Sequence, residues 1–535
     1  MIGGIVHQEG RTFYFDGEAV NKPEDIPRRN GTAGTVWYTT AAVSMQRFLK
    51  LLSDGDEAFG PSPDRPIGAA FYWENNNGRT SSMKVISSTV WGISSRDPVD
   101  TENLILEKMV ACAEGGVRPG TSAAGTSISE YMRTFDGQDG RPETRQLQPR
   151  WRGLAHASFH GGPITLTRAA GVEVAHIDLR AAYLAAMRLP LPVHGIDPQT
   201  ERKTGGFFSF QNPSWDDLKD RVGFAEATVS VDPSLYGPGS VPPLPVRHHS
   251  GSMHPTGVFR GAWPICMLQD AVDHGGAKIV KIHQFCWAPE TMCLFDDIAD
   301  TFMTNRMGKL LYTRFWGKWA SQGGFTGAKT SDPPDGSVRS YGLWWEHDGI
   351  GLYDYQAPPT YRPDIAATIA GYNHCQVMRS VRTLKPGSII SLYVDAIWTT
   401  DIEGAHRLVD QGPGNWAWKQ SGKARFYAPG VYQHNSKIGA AGYDSYVHGA
   451  ITPDKLRTWA ASPLHVKANL MSNRVWTDKP MINPDATSVP VQLSGSESIP
   501  ACRGPDVMDA CWTANGWLKP EYRDRVQQLP PGETA

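Results

Sequence analysis

Two aspartates raise the question of chemistry. Asp178 closes the apolar run VAHID, and Asp395 sits within ISLYVD much further along the chain. An acid in an apolar strand has to be paired, protonated or bound to a cation, because an isolated buried carboxylate is costly. Two such strands side by side would offer hard oxygen ligands suited to Mg²⁺, which takes carboxylate and phosphate oxygens. Two metal ions about 4 Å apart in such a site are the apparatus of in-line phosphoryl transfer. On these residues alone the plain alternative, two unrelated strand-end acids capping local turns, stays open. From Phe302 to Thr330 the chain carries Arg306, Lys309, Arg314, Lys318 and Lys329 and no acid, a charge pattern that suits a triphosphate or a solvated basic face. A second acid-free stretch, Pro413 to Ala440, interleaves Lys419, Lys423, Arg425 and Lys437 with Trp416, Trp418, Phe426, Tyr427 and Tyr432. That mixture fits a nucleic-acid backbone with stacked bases, and also an ordinary surface hairpin.

The elements that must hold these residues can be read from pattern. GVEVAHID (171–178) reads as a strand, followed by a short helix through Met187 that Pro190 stops. Ser388 to Trp398 reads as one strong strand with Asp395 near its end. Helical spacing runs from about Glu290 to Trp319 and again from Pro363 to Arg382. Thr101 to Ala113 reads as a helix, Arg118 to Arg150 as a linker or extended segment, and HASFH (156–160) as the start of a strand with His156 and His160 as ordinary histidines. The first hundred residues read as a small α/β or β-rich unit. A length of 535 residues allows three to four domains of about 150 each. With 40% hydrophobic and 20% charged residues the chain is globular in composition, neither collagen-like nor wholly disordered. A net charge of −2 means that any nucleic-acid contact must use local basic patches. Seven cysteines without a CxxC pair predict reduced thiols in a cytosolic protein. Neither a secretory signal nor a membrane span is expected.

Taken in order, a series of segments resembles motifs of the family B DNA polymerases, in particular their protein-primed branch from phages and mobile elements. The first palm motif, DxxSLYPxxM, is similar to Asp178-Leu-Arg-Ala-Ala-Tyr-Leu-Ala-Ala-Met187, which lacks the Ser and the Pro. The fingers motif, KxxxNSxYGK, resembles Lys309 to Lys318, with Thr313 at the Asn, Trp316 at the Tyr, and Gly317 and Lys318 matching. The third motif, YxDTDS, is the most altered. One register places Asp395 at the second, metal-binding Asp and Ala396-Ile397 on Ser-Ile; the other aligns Tyr393 with the Tyr and puts Ile397 in place of that Asp. The first is favoured because an active site needs that carboxylate. Phe159-His-Gly-Gly162 resembles the YxGG motif, Tyr432 falls at the Tyr of KxY with Gly430 at its Lys, and Lys437 to Gly442 resembles the segment after it. The likeness runs from about residue 153 to residue 480, and 131 residues separate Asp178 from Lys309 while 86 separate Lys309 from Asp395.

The resemblance implies an α+β polymerase right hand: a palm of antiparallel sheet with helices, helical fingers and a small thumb, behind a reduced N-terminal α/β domain. The expected parts are an exonuclease-like remnant and linker (1–150), palm (151–205 and 361–445), a first insertion (206–285), fingers (286–325), a second insertion (326–360), thumb (446–482) and a flexible tail (483–535). The two insertions match where protein-primed members carry their terminal-protein regions. It implies a template-directed DNA polymerase in the cytoplasm, a host's if the gene is a phage's. Its partners would be primer-template DNA, deoxynucleoside triphosphates and a terminal protein. Asp178 and Asp395 would hold two Mg²⁺ ions, for which Mn²⁺ can substitute. Tyr183, Leu179, Lys309 and Thr313 would meet the nucleotide. Phe159, Gly161, Gly162, Gly317, Lys318, Tyr432, Lys423 and Arg425 would meet DNA. Proofreading is expected to be absent: Asp16-Gly-Glu18 has the shape of an exonuclease DxE pair but is also a turn signal, and Arg96 stands where a Tyr is needed before Asp100. Two rivals remain, a polymerase-like protein that binds DNA without catalysis and a primase-like nucleotidyltransferase.

Overall fold

The structure is a computed structural model that describes residues 2–9, 12–21, 35–41, 43, 68–74, 80–93, 95–134, 149–167, 172–196, 203–205, 207–209, 211–237, 239–248, 251–320, 338–340, 343–346, 349–351, 361–428, 431–440 and 452. The chain divides into two compact units. One takes its described residues from 138–296, 362–444 and 452 and contains both aspartates; the other takes them from 1–137 and 297–361.

The aspartate-bearing unit is built on helix α1 (Pro149–Ala157), strands β1 (Ile164–Leu166) and β2 (Val172–Leu179), and the short helix α2 (Ala182–Met187). Next come β3 (Val222–Val231), β4 (Gly257–Pro264), α3 (Ile265–His274) and β5 (Ala277–Ala288). The long helix α4 (Pro363–Thr383) leads to β6 (Ile389–Tyr393), β7 (Ala396–Thr399), α5 (Ile402–Leu408), β8 (Trp416–Ala428), β9 (Val431–His434) and β10 (Lys437–Ala440). Seven strands form one sheet in the order β10-β9-β8-β2-β7-β6-β1, with every neighbouring pair antiparallel.

Strand β2 lies at the centre, and its alternation divides the sheet into two faces. Ala175, Ile177 and Leu179 join Ile397 in a core with Val377, Met378 and Val381 of α4. Val174 joins Ile390, Ala396, Trp398, Phe426 and Tyr432 in a second cluster. Helix α4 starts at Pro363, where a missing N–H costs nothing, and is buried along most of its length. Arg362, just before it, donates to both carboxylate oxygens of buried Asp364 at 2.9 and 2.6 Å, so neither charge is left alone in the core. The region expected as the first insertion contains the antiparallel sheet β4-β3-β5, whose core of Ala225, Val229, Phe259, Trp263 and Leu268 continues to Cys375 on α4. Asp270 of α3 ties the two helices by ion pairs to Arg379 and Arg382.

In the other unit nine strands form one sheet. The segments Ile2–Glu9, Thr35–Thr39 and Thr80–Ser87 run parallel to one another, and the remaining pairs are antiparallel. The described strands of the second insertion, between Val338 and Gly351, pair into this sheet beside Gly68–Glu74.

Four sequence expectations change. HASFH does not begin a strand: His156 lies in helix α1, where Trp151, Leu154 and Ala155 are buried at helical spacing. The segment 388–398 is not one strand but the hairpin β6–β7, turning at Val394 and Asp395. The helical run 290–319 is two helices, Asp296–Thr304 and Gly308–Ala320. At the break, Asn305 accepts from the Met307 N–H through its side chain and from the Gly308 N–H through its carbonyl, both at 2.8 Å. Gly308 is required there, since a Cβ would lie 1.8 Å from the Phe302 carbonyl oxygen. The linker 118–150 contains the helix Ala123–Thr134, whose Tyr131 packs edge-on against Phe315 and Trp319. The rest of that linker, 135–148, lies outside the described residues, as do the tail and, residue 452 apart, the thumb expected over 446–482.

Candidate active site

Asp178 is the penultimate residue of β2, flanked on both sides by sheet: it pairs with Ala396 of β7 and with Ala417 of β8. Asp395 lies one step away in register. Its carbonyl accepts from the Leu179 N–H at 2.8 Å, so the backbones carrying the two acids are hydrogen-bonded to each other. The turn that presents Asp395 is unusual. Val394 has φ +62°, a left-handed conformation that β-branched residues rarely adopt. It is held by its own N–H, which donates to the Pro163 carbonyl at 2.8 Å, and by contact with Gly162. A Cβ on Gly162 would lie 2.7 Å from the Cα and from the Cγ1 of Val394. Gly162 therefore acts as a seat for the turn, a packing duty that motif spacing does not reveal.

The acids have different neighbours. The Nζ of Lys419 lies 2.8 Å from Oδ2 of Asp178. Burial, and then the charge of Asp178, push the Tyr432 phenol above its usual range. Burial, and then the charge of Asp395, push up the phenols of Tyr183 and Tyr393. On the same face as Asp178, His176 stacks on Trp398 at 4.1 Å, and burial, with His434, Lys437 and Lys419 adding to it, lowers its imidazole to about 3, so it is neutral at ordinary pH. The loop just before β8 is tied to the residue after β2: the Gly414 N–H donates to the Arg180 carbonyl at 2.6 Å and the Arg180 N–H to the Asn415 carbonyl at 2.9 Å. Ala181, the next residue, takes φ +48° to start α2 and aim Tyr183.

Asp178 carries an ammonium on one carboxylate oxygen and Asp395 is one backbone hydrogen bond away; carboxylate oxygens are the hard ligands that a divalent cation such as Mg²⁺ takes. Among the described residues no group of three or more His, Cys, Asp or Glu is arranged to hold a metal. A cation here would therefore complete its shell with water and substrate oxygens, as Mg²⁺ commonly does.

No family model and no curated protein sequence matches the chain. Among solved structures it is similar to Phi29 DNA polymerase in an orthorhombic crystal form, with a TM-score of 0.56 and 12% identity over 78% of this chain and 86% of that one. The same polymerase complexed with single-stranded DNA gives 0.55 at 12% identity, covering 78% and 85%. Its ternary complex with primer-template DNA and incoming nucleotides gives 0.54 at 13%, covering 78% and 86%. The fold is that of a DNA polymerase.

On this polymerase fold the other residues singled out from sequence fall as follows. Leu179 is buried, its side chain in the α4-facing core, so only its backbone borders the aspartates. Phe159 packs against the cluster of Trp151, Leu154 and Ala155. Gly161 has φ +70° with open space beside it. Tyr432 belongs to the Asp178-side cluster. Lys423 is exposed and pairs with Glu173 in register, and Arg425 pairs with Gln433. Lys309, Thr313, Gly317 and Lys318 lie on the helix Gly308–Ala320 of the other unit. There Lys309 is exposed, the Thr313 hydroxyl donates to the Lys309 carbonyl at 2.7 Å, a Cβ on Gly317 would meet nothing within 4 Å, and burial lowers the Lys318 ammonium. The Asp16-Gly17 pair forms a two-residue turn between strands, as its turn signal predicts, and the Asp16 carboxylate accepts from the Ile5 N–H at 3.0 Å. Asp100 is exposed in the first turn of the helix Pro98–Glu114, its N–H capped by Asp97. His160 Nε2 is 2.7 Å from the Ala262 carbonyl, an ordinary structural contact. No described helix is long and apolar enough to cross a membrane. Lys419 was missed as a site residue: it was visible only as one of several basic residues in an acid-free stretch, because what brings it to Asp178 is the pairing of β8 with β2.

Proposed function

We propose that the chain is a template-directed DNA polymerase of the protein-primed family B type, which adds deoxynucleotides to a primer 3′-hydroxyl by two-metal phosphoryl transfer. The carrying observation is that Asp178, near the end of central strand β2, and Asp395, in the turn between β6 and β7, are distant in sequence yet end up on adjacent, hydrogen-bonded backbone. The polymerase fold supports the reading. Mg²⁺ held by these carboxylates would make the primer hydroxyl more acidic and offset charge on the nucleotide phosphates. Asp178 and Asp395 hold that charge in place. Tyr183, stiffened by burial beside Asp395, sits under the incoming sugar and selects against a 2′-hydroxyl. Lys309 offers a point charge to the triphosphate, Thr313 lies one helical turn beyond it, and Gly317 and Lys318 line the path of the template. Gly161 borders the DNA backbone, and Phe159 and Tyr432 support that surface from the clusters they pack into. Lys423 and Arg425 alternate onto the other face of β8 from Asp178 and take no part in it, and Gly162 keeps the Asp395 turn seated. A terminal protein supplying the first hydroxyl is part of the proposal, and so is the lack of a proofreading site.

Primer extension with Mg²⁺ and deoxynucleotides tests it. Wild-type protein extends the primer, while Asp178→Ala and Asp395→Ala each lose at least about a thousandfold in rate, the equivalent of several kcal/mol of charge stabilisation. Extension that survives Asp178→Ala overturns the reading. Absence of extension in the wild type favours the DNA-binding rival, and primer-free synthesis from ribonucleotides favours the primase-like one.

A further inference from the structure

The pairing between Lys419 and Asp178 has a structural cause. Along β8, Trp418 pairs with Ile177 and Gln420 pairs with His176, so Lys419 is an extra residue with no partner on β2. A bulge of this kind bends its strand and re-aims a side chain. This one falls two residues beyond Ala417, the direct partner of Asp178, and it delivers the ammonium to within 2.8 Å of that carboxylate. The pair is only part-buried, with Lys419 40% and Asp178 26% exposed. Lysine carries a compact charge on a flexible stem, so it can swing into water at small cost. An ion pair this exposed is weak and exchangeable.

Resting on the reading that Asp178 holds a divalent cation, we propose that Lys419 is the counter-ion of Asp178 in the metal-free protein and competes with the metal for that carboxylate. Lys419 must release Asp178 before a divalent cation can be held there, and so it sets the cation concentration at which the site fills. The bulge keeps the competitor close enough to return when the cation leaves. A merely structural ion pair would alter stability on removal and leave cation affinity unchanged.

The test is Mn²⁺ binding to the full chain without DNA or nucleotide, followed by the electron paramagnetic resonance signal of free Mn²⁺. Lys419→Met keeps the stem and removes the charge; it binds Mn²⁺ about tenfold more tightly than wild type, the size expected for a unit charge removed from a partly solvated site. Lys419→Arg stays close to wild type, and Asp178→Asn loses the site. If Lys419→Met binds no more tightly while Asp178→Asn still abolishes binding, the competition is disproved and the metal site stands. If the wild type shows no Asp178-dependent binding, the metal site falls and the competition with it.

Discussion

The two faces of the seven-stranded sheet are made by alternate residues of the same strands, yet they have opposite characters. Towards α4 the central strands present Ala175, Ile177, Leu179 and Ile397, all buried and apolar. On the other face the same strands present His176, Asp178 and Trp398, with Lys419 and Tyr432 beside them. One face is an apolar core packed on a helix, and the other carries charged and aromatic side chains. The contrast teaches that a position's face decides what it can do more than its match to a motif. Ile397, which one alignment sets at a metal-binding Asp, belongs to the apolar face.

Replacing Ile397 is therefore the hardest blow to this contrast. Ile397→Asp puts an unpaired carboxylate among Ile177, Val377 and Val381, and is expected to cost about 3–5 kcal/mol of stability in urea unfolding, with no gain in primer extension. A variant that folds normally and extends faster would assign the metal to position 397 instead. Gly162→Ala is next. The added Cβ must push Val394 aside, at a cost of about 1–3 kcal/mol, and moves the Asp395 turn, so extension should fall about tenfold. Adding Val394→Gly removes Cγ1 and the left-handed strain and should recover part of the loss. Unchanged extension in Gly162→Ala would mean that the seat for the turn does not matter.

The smallest effect is set by pH. Burial holds His176 at about 3 and His374 at about 4, below the usual 6.5, so the folded protein keeps both neutral. Between pH 6.5 and those values the unfolded chain binds protons that the folded chain refuses. The stability they contribute is complete above pH 6.5 and declines as pH falls, by about 1.4 kcal/mol per pH unit for each imidazole. Urea midpoints measured from pH 7.5 to 5 should show this slope, and His176→Asn should reduce it by one imidazole's share, leaving that of His374. A midpoint independent of pH in the wild type would contradict the neutral, buried histidine on the charged face.

Much of this unit could be read from the sequence because its signals are local. The alternation of VEVAHIDL gave β2 and the face of Asp178, Pro363 marked the start of α4, and Pro190 follows the end of α2. The turn at Val394 was invisible because no Gly or Asn announces it; a β-branched residue is forced into it by Gly162 and Pro163 from a segment more than 200 residues earlier. Lys419 was hidden for a similar reason: a bulge is defined by the partner strand. Helix α1 was misread since the spacing of Trp151, Leu154 and Ala155 was outweighed by the apparent alternation of HASFH. The strands of the second insertion gave no clue that they would complete the other unit's sheet.

The central claim is that Asp178 and Asp395 share one divalent-cation pocket. Anomalous diffraction from crystals soaked in Mn²⁺ tests it most directly. The account predicts an anomalous peak bridging the two carboxylates, with Lys419 turned away from Asp178. A well-ordered site in which Asp395 faces elsewhere, and no peak lies beside Asp178, would contradict it.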